Sequence, residues 1–388
     1  LKCRHGSRLS LNCTSLATLT IPYWRLTRIW NITCLDLDMT ATAESNWTSI
    51  EYPRECTFSN NDWEILSNMW YPLALESDIG DKPQKLRLLD VDLVVSRLGG
   101  EYVVARDICI HRGAPLSEGW IKDGCLVCPY HGYRFKSDGQ CVLVPSHPDW
   151  NIPAKLKLLT VRHELRYGLI WVCLSGQPTN QIPVWEPEES DGNYRRFHLG
   201  PEVWNCSAGR LIENFIDNAH FSFIHQSSFG KEDSATMGAD YEFTQDEFTM
   251  TMEFDYQATN PDDSPIANTA ELNRHMHRTL YLPFCTRTVI SYPEDREHVI
   301  HFNIAPVSAR KAQIIAVFHR NFDHDVPVED LLAWEKKIIY EDRAIVELQK
   351  PEEIPMDIAE EVHAKADKAS LALRRWMIKL GLEGEMTA

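Results

Sequence analysis

The spacing of hydrophobic and polar positions changes along the chain. Between residues 84 and 174, short apolar stretches are separated by turn residues, which predicts a small all-β region. Between residues 240 and 320 the alternating stretches are longer, which predicts long antiparallel strands. From residue 327 onward, apolar residues recur at three- and four-residue spacing, which predicts helices. The fold class is therefore predicted to be α+β, with β-structure first and helices at the C-terminus.

The individual elements can be assigned from the same pattern. A helix or turn is predicted at 63–71, and short strands at 84–88, 91–97, 102–105, 125–127, 142–144 and 168–174. Longer strands are predicted at 248–256, 278–282, 286–292, 298–304 and 313–320, and helices at 327–349 and 357–380. The last helix is expected to turn one stripe toward the core, made of Val362, Ala366, Ala369, Leu373 and Leu380.

Three prolines between residues 178 and 187 indicate a linker and a domain boundary near residue 185. We therefore expect three segments. Residues 1–58 are a poorly ordered, non-catalytic extension, residues 59–185 form the first domain, and residues 186–388 form the second.

Residues 1–38 differ in charge from the rest of the chain. They contain five Lys and Arg residues against two Asp, whereas the whole chain has a formal net charge of −17. Three interpretations remain open: sequence upstream of a true start at Met39, a basic transit peptide, or a genuine extension. The protein is expected to be cytoplasmic, or plastidic if this segment is a transit peptide.

Composition narrows the class of protein. The acidic balance argues against a nucleic-acid partner, because phosphates would repel it. No run of 18 apolar residues is present, so no membrane span is expected. Eleven cysteines without a framework spacing favour reduced thiols over a disulfide scaffold.

Two mixed Cys/His pairs dominate the first domain. Cys109 and His111 are followed, after sixteen residues, by Cys128 and His131. Structural zinc sites usually pair two cysteines together, and a zinc site using Cys125 with Cys128 is the alternative. One Cys and one His in each pair suit a two-iron cluster, in which one iron takes both cysteines and the other both histidines. Turn residues after each pair place both pairs in loops.

These two stretches, 109–113 and 128–132, resemble the ligand boxes of a Rieske [2Fe-2S] domain. The resemblance implies that Cys109, His111, Cys128 and His131 hold the cluster.

A second candidate centre lies at 214–225. Asp217 and His220 are three residues apart, and His225 follows five residues later. Two positions five apart lie about 140° apart on an ideal helix, so the helix must end or widen between the two histidines if they are to meet. Two histidines and a nearby carboxylate are the ligand types of a 2-His-1-carboxylate iron site.

The helix predicted at 327–349 carries two candidate carboxylates on or near an apolar stripe. Asp342 shares an apolar stripe with Ile338 and Ile345, and a buried carboxylate is costly unless it is paired or bound to metal. Glu341 is nearly as well placed, so spacing alone does not choose between them.

The order and content of the two centres resemble those of Rieske non-haem iron oxygenases, and most of all the N- and O-demethylating monooxygenases. The resemblance implies that His220, His225 and Asp342 bind a mononuclear Fe(II). It also implies that Asp217 connects this iron to a cluster histidine of a neighbouring subunit, and that Asn214 lies near the iron. The fold it implies is a small all-β Rieske domain followed by a helix-grip-like catalytic domain.

The implied function is that of a terminal oxygenase. It would use O2 to monooxygenate a small aromatic or heterocyclic substrate, with oxidative N- or O-demethylation as one outcome. Electrons would come from NAD(P)H through a separate reductase or ferredoxin, and the assembly would be a homotrimer. The alternatives are an aromatic-ring cis-dihydroxylating dioxygenase and, from another class, a Rieske-type electron-transfer protein.

Overall fold

The structure is a computed structural model that describes residues 49–230, 240–258 and 272–384. Most of the N-terminal extension expected at 1–58 lies outside the described residues. Its last part, residues 49–58, packs on the folded chain. Ile50 is buried and its N–H donates to the carbonyl of Leu174, and the Thr57 hydroxyl contacts Asp90. None of the helices in the described part is long and apolar enough to cross a membrane.

Short strands make up the first part of the fold. They are β1 (Tyr71–Leu75), β2 (Gln84–Leu88), β3 (Val91–Leu98), β4 (Glu101–Arg106), β5 (Trp120–Lys122), β6 (Cys125–Val127), β7 (Arg134–Phe135), β8 (Cys141–Leu143), β9 (Arg162–Arg166) and β10 (Leu169–Cys173). They pair antiparallel in three small sheets, with the orders β1-β10-β9, β2-β3-β4 and β5-β6-β7-β8. This arrangement confirms the predicted small all-β region.

One large antiparallel sheet forms the second part. Its strands are β11 (Arg195–Trp204), β12 (Glu242–Gln245), β13 (Thr249–Ala258), β14 (Leu272–Tyr281), β15 (Cys285–Tyr292), β16 (Arg296–Ser308) and β17 (Lys311–Arg320). Their order is β11-β17-β16-β15-β14-β13-β12, so that each strand from β12 to β17 pairs with its sequence neighbours. Strand β11 joins the far edge beside β17.

Strand β17 of the large sheet contacts residues of the first part of the fold. All of its residues after Lys311 are buried, because both of its faces are covered. Ile315 and Val317 pack with Trp171 and Trp185 from the first part and the linker, whereas Phe318 on the opposite face belongs to the main core. Strand β17 therefore packs against Trp171 and Trp185 on one face and against the main core on the other.

The helices are α1 (Asn60–Ser67), α2 (Ala208–Ile216), α3 (Phe221–Ile224), α4 (Val328–Val346) and α5 (Lys368–Leu380). Helix α2 is fixed to α5 by an ion pair inside the protein: Arg374, almost fully buried, lies 2.8 Å from Glu213 and also contacts Glu361. The predicted α+β class, with a large antiparallel sheet followed by C-terminal helices, is confirmed.

Two predicted helices have different bounds from those expected. Helix α1 starts earlier than 63–71 and ends at Ser67, because Tyr71 begins strand β1. The helix predicted at 357–380 begins only at Lys368, after short 3-10 turns. Val362 is fully exposed instead of core-facing, whereas Ala369 and Leu373 are buried as predicted. The prediction for Val362 was wrong because helical periodicity was extended across a non-helical stretch.

Candidate functional site

Two loops of the same shape carry the Cys/His pairs. The first follows β4 and the second joins β6 to β7. In each loop the carbonyl of the cysteine accepts a hydrogen bond from a glycine N–H four residues later: Gly113 donates to Cys109 at 2.9 Å and Gly132 donates to Cys128 at 3.0 Å. Both glycines have φ of +70°, a conformation that side chains other than glycine rarely adopt. The turn chemistry expected around the two pairs is therefore present.

The cysteines and histidines of these loops differ in burial. Cys109 and Cys128 are buried and belong to the core of the small sheets, whereas His111 and His131 are exposed. The two imidazole rings have centroids 4.6 Å apart. Burial raises the pKa of the Cys109 thiol to about 11, while backbone hydrogen bonds from His111 and Arg112 act in the opposite direction.

The donor set fits a cluster with two kinds of iron. Two thiols converge on the protein side and two imidazoles on the solvent side, so that one iron can take sulfur ligands and the other nitrogen ligands. Cys125 and Cys141 are also buried and reduced, and lie in strands β6 and β8 instead of the loops.

The second centre is built around a break between two helices. Helix α2 ends at Ile216, and Asp217 follows in an extended conformation. His220 and His225 then flank the single turn of α3, one before it and one after it. A straight helix would point these two side chains apart, whereas here their ring centroids are 5.2 Å apart.

Asp342 completes this group from the middle of helix α4. Its Oδ1 atom lies 3.3 Å from Nε2 of His220 and 3.3 Å from Nε2 of His225. Oδ1 is buried, and among the described residues neither contact has the geometry of a hydrogen bond. A buried carboxylate oxygen that faces two imidazole nitrogens without a shared hydrogen matches the donor set of a facial 2-His-1-carboxylate metal site. The three residues fit that site, and the three ligand atoms lie within 4.8 Å of one another.

Carboxylates hold the other nitrogen of each imidazole. Nδ1 of His220 lies 2.8 Å from Oδ2 of Asp217, whose carboxylate also accepts the N–H groups of Ala219 and His220. Nδ1 of His225 lies 2.8 Å from Oε2 of Glu341; the Ser228 hydroxyl donates to the same oxygen and the Ser227 hydroxyl donates to Oε1. Both rings are therefore fixed with Nε2 directed at Asp342, as ligand histidines generally are.

The electrostatics of the group favour a cation. Burial alone would lower the pKa of His220, but its hydrogen bond to Asp217 and the nearby negative charge of Asp342 outweigh burial and raise the pKa to about 9. Burial alone would raise the pKa of Asp342, but the contacts with His220 and His225 hold it well below its usual range. The site therefore stabilises positive charge between the imidazoles and the carboxylate.

A cavity of about 110 Å³ opens next to these three residues. Asn214 of α2 lines it, and its amide nitrogen is buried without a hydrogen-bond partner among the described residues. The apolar part of the wall includes Phe215, Phe221, Ile290, Ile300 and Phe302. The polar part includes Tyr256, Arg274, Arg278, Tyr292, His298 and Glu335.

Sequence reasoning did not single out these polar wall residues. Arg274 and Arg278 lie at period two with Met276, which is the spacing of one face of a strand. The sequence shows this spacing, but it does not show whether that face of the strand points toward the cavity. Glu341 was considered only as a rival ligand to Asp342, whereas the structure places it against the far nitrogen of His225.

The comparisons with known proteins cover both parts of the chain. Residues 69–159 match the Rieske [2Fe-2S] domain, and residues 204–383 match the vanillate O-demethylase oxygenase C-terminal domain. The chain is 32% identical over 330 residues to the methylxanthine N1-demethylase of Pseudomonas putida, across 83% of this chain and 91% of that protein. It is 35% identical over 168 residues to the oxygenase component of dicamba O-demethylase from Stenotrophomonas maltophilia, across 42% of this chain and 49% of that protein.

Solved structures give the same result. A Pseudomonas putida methylxanthine N1-demethylase with caffeine superposes with a TM-score of 0.73 at 30% identity, covering 82% of this chain and 92% of that one. Dicamba monooxygenase bound to dicamba has the same fold, with a TM-score of 0.72 at 23% identity, covering 81% of this chain and 97% of that one. The chain belongs to the Rieske oxygenases of the demethylase type, enzymes with a Rieske [2Fe-2S] domain followed by an oxygenase domain.

Proposed function

We propose that this chain is a terminal oxygenase that removes a methyl group from nitrogen or oxygen of a small aromatic or heterocyclic substrate. The observation that supports this most is the convergence of Asp342 Oδ1 with the Nε2 atoms of His220 and His225 beside a partly enclosed, largely apolar cavity. The similarity to relatives named as N- and O-demethylases also supports demethylation.

We assign the mononuclear Fe(II) to His220, His225 and Asp342, and the [2Fe-2S] cluster to Cys109, His111, Cys128 and His131. When bound, the two centres supply electrons and activated oxygen for insertion into a C–H bond. We also keep residue 185 as the proposed boundary between the two domains.

Residues of the chain itself position the histidine rings and limit the access of water to the cavity. Asp217 and Glu341 hold the histidine rings, and the apolar wall that includes Phe215 and Phe302 limits how much water the cavity can hold. The net reaction consumes one O2, two electrons and two protons per methyl group. One oxygen atom leaves as water, and the hydroxymethyl product breaks down to formaldehyde and the demethylated nitrogen or oxygen.

Electron delivery is proposed to involve other protein surfaces. The imidazoles of His111 and His131 are exposed, and the Asp217 side chain is about a quarter exposed. Both can therefore be reached by a neighbouring molecule. We propose a homotrimer in which the cluster histidines of one subunit lie near Asp217 of the next, with electrons entering from NAD(P)H through a separate reductase or ferredoxin. Light scattering that gives a mass three times that of the chain would support this assembly, and a monomer would contradict it.

The proposed reaction is tested with purified protein, a reductase, NADH and a panel of methylated aromatic compounds. O2 uptake should depend on substrate and match formaldehyde release. Two oxygen atoms added to the ring without loss of a methyl would indicate the dioxygenase alternative. Rapid reduction of the cluster without substrate-dependent O2 uptake would indicate an electron carrier.

A further inference from the structure

A buried arginine of strand β14 contacts the turn that carries the first residues of the metal site. Arg278 is 5% exposed and lines the cavity beside His220. Its guanidinium donates to Asn218 Oδ1 at 2.8 Å and to Thr288 Oγ1 at 3.0 Å. Both acceptors belong to buried residues. The positive group is therefore held in one place in the cavity wall.

Asn218 connects this arginine to the metal site. It directly follows Asp217, whose carboxylate lies 2.8 Å from Nδ1 of His220. The carbonyl of Asn218 accepts the N–H of Phe221 at 3.3 Å, at the start of α3. Arg278 thus contacts, from the large sheet, the same turn that positions His220.

Arg278 carries its charge close to carboxylates of the site. Burial lowers the pKa of Arg278 to about 10, whereas Tyr256, Asp217 and Asp342 act in the opposite direction. Burial raises the pKa of Tyr256 to about 12, so that of these three groups only the two aspartates are charged near neutral pH. The arginine is therefore charged at neutral pH, and the negative charges of Asp217 and Asp342 favour that state.

The charges around the proposed iron balance only when this arginine is included. Three carboxylates lie against the two histidines: Asp217 and Glu341 at the Nδ1 atoms, and Asp342 at the Nε2 atoms. Histidines that bind a metal are neutral, so the carboxylates exceed the charge of Fe(II) by one negative charge. Arg278 cancels that excess. Because a largely buried site favours the state with less net charge, Arg278 favours Fe(II) over Fe(III).

A second arginine of the same strand allows a comparison. Arg274 is also 5% exposed, lines the same cavity and points to the same face as Arg278, four residues away. Its guanidinium carbon lies 5.9 and 5.1 Å from the ring centroids of Tyr256 and Tyr292. Burial alone would lower the pKa of Arg274, but these two tyrosines outweigh burial and raise it. Arg274 thus packs on tyrosines, whereas Arg278 contacts the turn next to Asp217.

We infer that Arg278 tunes the metal site electrostatically, and that its positive charge makes the bound iron easier to reduce from Fe(III) to Fe(II). The reduction takes one electron, and the reduced cluster is the electron donor. Without the arginine charge the ferric state is the neutral one, so that the cluster reduces the iron less completely. This inference rests on the proposed iron site, but it does not depend on the substrate or on turnover.

A redox titration of the anaerobically reconstituted protein, followed by electron paramagnetic resonance, tests this inference. The high-spin ferric signal reports the mononuclear iron, and the signal of the reduced cluster is an internal control in the same samples. Arg278→Gln removes the charge but keeps a side-chain N–H for Asn218. It should favour Fe(III) over Fe(II) about tenfold more than wild type does, which lowers the potential by about 59 mV. The potential of the cluster should not change.

Other variants separate the charge from the contact. Asn218→Asp has nearly the same shape as wild type and makes the oxygen that lies 2.8 Å from Arg278 negatively charged. It neutralises the arginine without removing it, so the potential should fall here too. Arg278→Lys keeps the positive charge and should retain most of the wild-type potential. Arg274→Gln is the matched control on the same strand and should stay close to wild type.

Two sets of outcomes distinguish this inference from the proposed iron site. A wild-type potential in both folded Arg278→Gln and folded Asn218→Asp, or an equally large shift in Arg274→Gln, would overturn the inference and leave the iron site standing. If the oxidised wild-type protein shows no mononuclear ferric signal, both the inference and the proposed iron site fail.

Discussion

Oε2 of Glu341 lies 2.8 Å from Nδ1 of His225, while Oδ1 of Asp342, the next residue, lies 3.3 Å from Nε2 of the same ring. The adjacent carboxylates of Glu341 and Asp342 thus lie next to the two different ring nitrogens of His225. This relationship supports different roles for the two residues: Glu341 is placed to orient the ring, and Asp342 is placed to join the proposed ligand set. It also separates two candidates that sequence spacing left equivalent.

The first prediction concerns Glu341. Replacing it with Gln removes the charged acceptor for the Nδ1 hydrogen of His225, so we expect iron affinity at the mononuclear site to fall about 10–100-fold. Competition with a chelator measures this affinity. The exposed Glu329 on the same helix provides the control, because Glu329→Gln should bind iron like wild type. Unchanged iron affinity in Glu341→Gln would remove the orienting role.

The second prediction concerns the ligands themselves. His220→Ala and Asp342→Ala should each lose the mononuclear iron, because each removes one of three converging donors. The visible absorbance of the [2Fe-2S] cluster should persist, since the four ligands proposed for it lie in other loops. Asp330→Ala, exposed on the first turn of α4, should keep both metals. Full iron content in either ligand variant would reject that ligand.

The third prediction concerns Asp217. Asp217→Asn keeps one oxygen, which can still accept the Nδ1 hydrogen of His220, so we expect both metal centres to be retained when iron is supplied in excess, although iron affinity falls as in Glu341→Gln. Turnover should stop, or fall at least about 100-fold, if electron transfer between subunits requires the carboxylate; a loss of that size corresponds to about 2.7 kcal/mol. Steady-state formaldehyde release measures it, with iron analysis as the control. Turnover at the wild-type rate would exclude the bridging role.

The fourth prediction concerns stability and pH. Glu188 is buried against Arg287 at 2.7 Å and His301 at 3.1 Å. Burial alone would raise its pKa, but these contacts outweigh burial and hold the pKa well below the ordinary value of 4.5. Its stabilising contribution is therefore complete above about pH 4.5 and declines as the pH falls further.

Glu188→Gln should lower the free energy of unfolding by about 3 kcal/mol at pH 7, because it leaves the largely enclosed Arg287 guanidinium without a countercharge. Chemical denaturation should show this difference narrowing at pH 4 and below. Glu186→Gln, two residues away on the exposed side of the linker, should have little effect at either pH. A difference that stays constant with pH would contradict the assignment to the Glu188 carboxylate.

The parts of the site that could be predicted from sequence are those whose residues are close together in the chain. The loops around Cys109 and Cys128 carry their own turn glycines, and His220 and His225 lie on either side of one turn. Only the family resemblance favoured Asp342 over Glu341 as the ligand, because helical spacing places both residues near the inward face of the helix.

The cavity wall could not be predicted, for a geometric reason. Tyr256, Arg274, Tyr292 and Glu335 come from three strands and a helix, and they meet only because the register of the large sheet aligns them. A shift of register by one residue would reverse the face of every strand residue. The wrong prediction for Val362 has a similar cause. Val362 fits the helical pattern of apolar residues, but the helix begins only at Lys368, and the local sequence does not show this.

The central claim is that one polypeptide carries two separate iron centres. Anaerobic reconstitution followed by iron, zinc and acid-labile sulfide analysis tests it most directly. We expect about three irons and two sulfides per chain, falling to about two irons with unchanged sulfide in His220→Ala. Zinc in place of iron and sulfide at the first centre, or the same iron content in wild type and His220→Ala, would contradict it.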